Sequence, residues 1–154
     1  MDNGDRLLPG LFADLVRCET RLYNGLGERL KARHGIVASQ FEFLRHLRAH
    51  PGTRVADLAA EFAVGVGAVS KGADRLERQG WVERRANPAD RRSSLLALTE
   101  AGALLLDAAE RTFADVLAEL VGDVLDPSAV AATADALATL RAALEAGGVG
   151  VPTG

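Results

Sequence analysis

The chain has 154 residues, of which 48% are hydrophobic, 25% charged and 5% aromatic. This composition is typical of a globular protein with a helical core rich in Ala and Leu, and the length suits one domain or one half of an intertwined pair. No apolar run approaches the roughly 18 residues needed to cross a bilayer, so we expect no membrane partner. The N-terminus lacks the pattern of a secretory signal, and the lone Cys18 cannot form an intrachain disulfide. Both features favour a cytoplasmic location.

The formal net charge of −3 averages over segments of opposite sign. Residues 64–92 carry seven basic and four acidic side chains, a balance of +3. Residues 100–146 carry two basic and nine acidic side chains, a balance of −7. A basic middle beside an acidic end is typical of a protein that presents one face to phosphates.

Hydrophobic periodicity predicts four helices before residue 80. The first is long, because apolar residues recur at steps of three or four from Leu8 to Leu30. Ser39 is the expected N-cap of the second helix, and glycine or proline breaks the pattern between the helices. The four helices are expected over about residues 6–33, 39–49, 55–62 and 66–79.

After Gly80 the period changes to that of extended strands, and it becomes helical again at Glu100. Two strands are expected, over residues 81–85 and 93–99, and Asn-Pro-Ala-Asp at 87–90 is strong turn chemistry between them. The segment therefore predicts a β-hairpin with a basic tip.

Two more helices complete the chain. A weakened capping box at Thr99 and a stripe from Leu105 to Val124 predict a second long helix, and Asp126-Pro127 is a typical start for the last one. The aperiodic residues 147–154 are expected to form a flexible tail.

This order predicts a mainly α fold with a small β-hairpin wing, that is, a winged helix-turn-helix. Residues 36–99 would form the winged domain, and residues 1–35 and 100–146 a dimerisation region. The apolar faces of the outer helices are longer than so small a domain can cover, and closed two-fold dimers are the commonest way to bury such faces. We therefore expect a homodimer.

Two motifs carry a resemblance to a known family. Residues 74–84 are Asp-Arg-Leu-Glu-Arg-Gln-Gly-Trp-Val-Glu-Arg, and residues 87–99 are Asn-Pro-Ala-Asp-Arg-Arg-Ser-Ser-Leu-Leu-Ala-Leu-Thr. Together they resemble the end of the recognition helix and the wing of the MarR family, the multiple-antibiotic-resistance-type repressors. The resemblance extends over about residues 5–146 in element order. It implies a ligand-responsive repressor that binds a pseudo-palindromic site on double-stranded DNA as a homodimer.

The wing tip and the fourth helix supply the expected DNA contacts. Arg91 or Arg92 on a tight turn can enter a minor groove, whose negative potential attracts guanidinium. The family pairs the nearby carboxylate with the second arginine, which implies an Asp90–Arg92 pair here. Lys71 and Arg75 lie one helical turn apart and suit phosphates or guanine edges. The expected DNA-binding residues are Ser70, Lys71, Arg75, Arg84, Arg85, Asp90, Arg91 and Arg92.

The fourth helix departs from the family pattern. Gly65, Gly67 and Gly72 each lower helix propensity by about 1 kcal/mol relative to Ala, and no side-chain N-cap is available. Ala56 likewise stands where a capping residue is expected in the third helix. The alternative function is therefore a winged helix retained as a protein-interaction module. With one Cys, three His and no catalytic constellation, we expect neither an enzyme nor a cofactor.

Three kinds of site could sense a signal: an oxidant-sensitive cysteine, a metal site and a pocket for a small molecule. Cys18 lies on the leucine stripe, which favours a buried core residue over an oxidant sensor. His46 and His50 have a spacing that suits one metal ion, but no third ligand accompanies them, so we expect no metal site. The resemblance implies a pocket for a small apolar or aromatic-acid effector between the dimerisation helices and the winged domain. Its candidate lining residues are Phe12, Cys18, Phe41, Phe43 and Trp81.

Overall fold

Six helices, three short strands and one π-helical turn make up the protein, for which a computed structural model describes residues 3–152. The predicted fold class is confirmed. The helices are α1 (Asn3–His34), α2 (Ala38–Ala49), α3 (Val55–Phe62), α4 (Val66–Arg78), α5 (Glu100–Leu117) and α6 (Pro127–Ala146). The strands are β1 (Thr53–Arg54), β2 (Val82–Ala86) and β3 (Ser94–Leu98), and the π-helical turn spans Ala118–Gly122.

The three strands form one antiparallel sheet in the order β1-β3-β2. The hairpin register pairs Val82 with Leu98 and Ala86 with Ser94, as expected for a wing. The two-residue strand β1 pairs with Leu95 and Leu96 and was not predicted, because two residues give no readable period. The sheet is therefore three strands wide only at Leu95 and Leu96, towards the tip end of the hairpin.

The hydrophobic core lies where the second half of α1, the helices α2 to α5 and the sheet meet. The spacing of the apolar residues explains it: Val69, Ala73 and Leu76 are four and three residues apart and are all buried. Phe41 of α2 stacks on Phe113 of α5, with ring centroids 5.1 Å apart. The largest fully buried side chains include Leu30, Ile36, Phe41, Leu44, Leu47, Leu58, Leu76, Leu96 and Leu106.

Two predicted helix starts are confirmed. Thr99 Oγ1 accepts a hydrogen bond from the Gly102 amide at 3.1 Å, and Asp126 Oδ1 accepts one from the Ala129 amide at 2.8 Å. The expected capping position at Ala56 is wrong, because α3 begins at Val55, directly after Arg54, and the Asp57 carboxylate accepts the Arg54 amide.

The predicted N-cap at Ser39 is wrong. Helix α2 begins at Ala38, and the amide of the preceding Val37 donates to Gln40 Oε1 at 3.0 Å. A side chain three residues into the helix thus satisfies the amide at its start, so a capping serine is not needed.

The predicted long helix through Val124 is also corrected. Helix α5 ends at Leu117 and the chain continues as the π-helical turn, although the apolar stripe runs on through Leu120. A wider turn does not interrupt the hydrophobic spacing enough to be read from sequence. Leu120 Cδ1 would lie 3.3 Å from a Cβ on Gly25, so this turn packs closely on α1.

The first half of α1 and all of α6 expose their apolar residues in the single chain. Leu11 is 61% exposed and Leu137 is 43% exposed. None of the helices described here is long and apolar enough to cross a membrane.

The segment expected to be a flexible tail begins with a hydrogen-bonded turn. The Val149 amide donates to the Leu144 carbonyl at 3.0 Å, which closes the end of α6. Of the remaining tail, residues 153 and 154 lie outside the described part of the chain, and flexibility there stays a prediction.

Candidate nucleic-acid interface

Helix α4 has one buried face and one basic face. Because Val69, Ala73 and Leu76 point into the core, Lys71 and Arg75 point outward and are exposed. Gly72 has a packing reason: a Cβ there would lie 3.2 Å from Phe43 Cε2 of α2. Helix α4 thus packs closely on α2 at Gly72 and Phe43.

Two features of α4 add to the predicted set. Ser70 is half-buried beside the basic face, so it offers less surface than Lys71 or Arg75. Arg78 is exposed and lies three residues after Arg75, on the same side of the helix. Arg78 is not among the residues predicted from sequence, although its seven-residue spacing from Lys71 places it on the same side of the helix.

Side chains within the wing tip hold its shape. Asn87 Nδ2 donates to Ser93 Oγ at 2.9 Å across the turn, and the Ala89 amide donates to Asn87 Oδ1 at 3.0 Å. Arg91 and Arg92 are exposed beyond these bonds. The tip is therefore a compact loop that presents two guanidinium groups to solvent.

The implied pairing of the Asp90 carboxylate with the Arg92 guanidinium is corrected. Asp90 Oδ1 accepts the backbone amide of Arg92 at 2.9 Å, an Asx-type turn. The ion pairs found among residues 3–152 do not include one between these two side chains. Asp90 therefore shapes the backbone and leaves the guanidinium free.

The two arginines of β2 are engaged within the protein. Arg84 binds Asp74 of α4 at 2.5 Å, and Arg85 binds Glu83 at 2.5 Å. Their inclusion in the DNA-binding set rested on their charge and position alone. The sequence could not reveal the partner of Arg84, because Asp74 lies ten residues away and meets Arg84 only after the hairpin folds against α4.

A further ion pair lies beside the wing, at the start of α3. Arg54 Nη2 donates to Asp57 Oδ1 at 2.7 Å. The hydrogen bond from Arg54 lowers the pKa of Asp57, and the bond to Asp57 raises the pKa of Arg54, with a smaller contribution from the charge of Asp90. Strand β1 thus brings a cation near the wing tip.

The five candidate effector residues do not line one cavity in the single chain. Phe41 is fully buried against Phe113, and Phe43 packs on Phe62 with ring centroids 5.3 Å apart. Phe12 and Cys18 lie exposed on α1, so the prediction that Cys18 is buried is wrong for the single chain. The first half of α1, which contains Phe12 and Cys18, extends beyond the hydrophobic core.

Two other features bear on effectors and metals. An apolar groove of about 540 Å³ runs between Leu15 of α1 and Leu137 and Leu144 of α6. The rings of His46 and His50 lie 4.5 Å apart, and burial, followed by the charge of His50, lowers the pKa of His46. Among the described residues no group of three potential ligands surrounds them or any other point.

Comparison with known proteins identifies the family to which this architecture belongs. The profile of the MarR family matches residues 36–94. The multiple antibiotic resistance protein MarR of Escherichia coli is 34% identical over 107 residues, which are 69% of this chain and 69% of that protein. The chain belongs to the MarR family.

Two further relatives agree with the MarR family assignment. The HTH-type transcriptional repressor MdtR of Bacillus subtilis is 28% identical over 102 residues, 66% of this chain and 65% of that protein. The crystal structure of a mutant MarR from E. coli complexed with operator DNA matches with a TM-score of 0.78 and 28% identity, over 91% of this chain and 99% of that one. The protein is accordingly a winged helix-turn-helix transcriptional regulator of the MarR family.

Proposed function

We propose that this MarR family protein is a ligand-responsive repressor that binds a pseudo-palindromic DNA site as a homodimer in the cytoplasm. In each subunit the basic face of α4 enters a major groove and the tip at Arg91 and Arg92 enters the flanking minor groove. Two-fold symmetry then sets the half-sites about one DNA turn apart. Residues 36–99 serve as the DNA-binding domain, and residues 1–35 and 100–146 as the dimerisation region.

One observation supports the proposal most directly. The winged region contains seven basic side chains between residues 64 and 92. Whether each one is paired with a carboxylate depends on its position in the fold. Arg84 and Arg85 are bound to carboxylates, whereas the outward-facing ones form no ion pair with any residue of the described chain. Unpaired cations on one surface are what a phosphate backbone requires, because their binding releases counterions from DNA. The unpaired basic residues are Lys71, Arg75, Arg78, Arg91 and Arg92.

The test is DNA binding by wild-type protein and by tip variants. The probe is the duplex that the wild-type protein selects from a random library, and affinity is measured by fluorescence anisotropy over a range of salt concentrations. We expect Arg91→Ala and Arg92→Ala each to weaken binding about tenfold and to reduce the slope of log K against log salt by about 1. The reason is the loss of one cation from the groove.

The matched control is Arg111→Ala, which removes an equal charge from the exposed side of α5, outside the basic face. It should bind almost as wild-type. Equal affinities for the tip variants and wild-type at every salt concentration would rule out the wing contact. No binding by wild-type protein at about 50 mM salt would instead favour the protein-interaction module, since even nonspecific DNA binding should be strong there.

The effector is a separate part of the proposal and rests on membership of the MarR family. A small apolar or aromatic acid is proposed to bind between the dimerisation helices and the winged domain. The groove beside Leu15, Leu137 and Leu144 is apolar and of ligand size. A thermal-shift screen of phenolic and lipophilic acids should find at least one that raises the melting temperature and releases DNA. A screen without any stabilising compound would contradict this part alone.

A further inference from the structure

The guanidinium of Arg84, in the middle of β2, contacts both α4 and β3. Its Nη2 donates to Asp74 Oδ1 of α4 at 2.5 Å, and its Nε lies 3.9 Å from Glu77 Oε1, one turn further along the same helix. Its Nη1 donates to Ser94 Oγ of β3 at 3.4 Å. The side chain is only 26% exposed, whereas that of Asp74 is 56% exposed. Arg84 is thus held between the recognition helix and both strands of the hairpin.

The strand register explains this orientation. Side chains alternate across a sheet, so Arg84 lies on the same face as Val82, which is buried. Its cross-strand partner Leu96 is also buried. Glu83 and Arg85 lie on the opposite face and pair with each other. Arg84 therefore faces α4. Its positive charge is already paired with the Asp74 carboxylate and is not free to bind a phosphate.

The position of Arg84 along the hairpin matters as much as its partners. Strand β1 pairs with β3 at Leu95 and Leu96, on the side of β3 away from β2, so it gives β2 no direct support. The strand pairing ends at Ala86 and Ser94, and the wing tip beyond this pair is a loop. The tip is fixed internally by its Asn87 and Asp90 hydrogen bonds, so its direction is set by the strand residues just before it, among them Arg84.

We propose that Arg84 is a positioning residue that fixes the wing against the recognition helix, so that the wing tip and α4 contact DNA together. This inference rests on the proposed function for its consequence, but its structural part concerns the DNA-free protein. The competing role, which its charge alone suggested, is a direct phosphate contact by Arg84.

Asp74→Asn separates the two roles by the sign of its effect. If Arg84 contacts phosphate, the substitution frees Arg84 and removes a negative charge beside DNA, so binding should strengthen. If Arg84 positions the wing, the substitution breaks the link, and we expect binding to weaken about three- to tenfold. Glu61→Gln, on an exposed position of α3, is the matched control for loss of a carboxylate and should not weaken binding.

A double-mutant cycle measures the coupling to the wing tip. We expect Arg84→Gln to weaken binding about tenfold, and Arg91→Ala to cost about tenfold in wild-type protein but less than about threefold in Arg84→Gln, because the tip is already misplaced. Independent phosphate contacts would give additive losses instead. Arg84→Lys keeps the charge without the fork of donors and should recover only part of the affinity.

Hydrogen exchange in DNA-free protein completes the experiment. Arg84→Gln and Asp74→Asn should each accelerate amide exchange at residues 86–94 while α5 retains wild-type protection, since exposed ion pairs add little to global stability. Unchanged exchange in the wing, or tighter DNA binding by Asp74→Asn, would overturn the positioning role. If wild-type protein failed to bind DNA, the proposed function would fall, while the exchange result would still decide whether Arg84 fixes the wing.

Discussion

Gly102 lies in the first turn of α5, directly against the backbone of Trp81. A Cβ placed on Gly102 would overlap the Trp81 carbonyl oxygen and lie 2.9 Å from its carbonyl carbon. The contact lies at a joint, because the Thr99 hydroxyl donates to the Gly80 carbonyl and the Thr99 amide donates to the Trp81 carbonyl. Only glycine lets the end of α4 and the start of α5 approach this closely.

We therefore expect Gly102→Ala to lower the free energy of unfolding by about 1–3 kcal/mol, as overpacking does. At an unconstrained helical position the same substitution would raise it by about 1 kcal/mol. Urea unfolding at a fixed protein concentration measures the difference. Gly67→Ala in α4 is the control: no atom lies within 4 Å of its added Cβ, so stability should rise by about 0.5–1 kcal/mol. A rise for both variants would contradict the close contact at Trp81.

At the residue scale, sequence predicts local bonds better than distant ones. The cap at Thr99 was predictable because its partner is three residues away. The partner of Arg84 was not, because Asp74 reaches it only through the packing of β2 on α4. The exposure of Cys18 was missed for a related reason: the stripe shows which face of α1 is apolar, and it does not show where along the helix the core ends.

At the element scale, long periodic segments and strong turn chemistry were sufficient for most of the fold. The wing followed from the Asn-Pro-Ala-Asp turn, and the helices followed from their apolar spacing. Strand β1 was missed because it has two residues, and the π-helical turn because the apolar stripe continues through it. Both exceptions are set by packing against neighbouring elements, which one segment of sequence does not encode.

Arg48 links two elements that the sequence treats as independent. From α2 it donates to Asp107 Oδ1 at 2.8 Å, to Glu110 Oε2 at 2.9 Å and to the Ala103 carbonyl at 3.0 Å, all on α5. One guanidinium thus ties the helix-turn-helix to the helix that continues towards the dimerisation region. A network of charge-assisted bonds contributes more than a single surface ion pair.

We expect Arg48→Ala to lower the free energy of unfolding by about 1–2 kcal/mol at low salt and by less at high salt, because partly exposed ion pairs are screened. Thermal or urea unfolding at two ionic strengths provides the measurement. Arg111→Ala on α5 again serves as the control and should change stability by less than about 0.5 kcal/mol. A loss for Arg48→Ala that did not depend on salt would indicate lost packing of its side chain rather than lost ion pairs.

At the scale of the whole molecule, the single chain is well packed around the winged domain, residues 36–99, here called the winged lobe. The first half of α1 and all of α6 leave their apolar side chains exposed. Leu8, Leu11 and Phe12 of α1 are each at least 60% exposed, and α6 contains no buried residue. Isolated exposed leucines are ordinary, but a continuous apolar surface on two helices marks an interface. The domain boundaries predicted from sequence at residues 35 and 100 stay a prediction. Helices α1 and α5 each have residues in the hydrophobic core as well as exposed apolar residues, so neither helix belongs to one region alone.

The proposed homodimer gives the last prediction, Leu11→Asp. In a two-fold interface the same residue occurs on both sides, so one substitution places two carboxylates in the buried surface. Each loses about 1.5–3 kcal/mol of apolar burial and adds a desolvation cost. We therefore expect the dimer dissociation constant to rise by more than about 100-fold, while the monomer keeps its helical content, because Leu11 contributes nothing to the core of the single chain.

Sedimentation velocity over a range of protein concentrations measures this change, and Leu104→Asp is the matched control. Leu104 is 64% exposed, much like Leu11, but it lies in the first turns of α5 beside the winged lobe. Its substitution should leave the dimer intact, whereas the monomeric Leu11→Asp protein should hold single half-sites and lose most of its affinity for the complete site. If Leu11→Asp stayed dimeric at micromolar concentration, the apolar end of α1 would have to be covered by something other than a second copy of this chain.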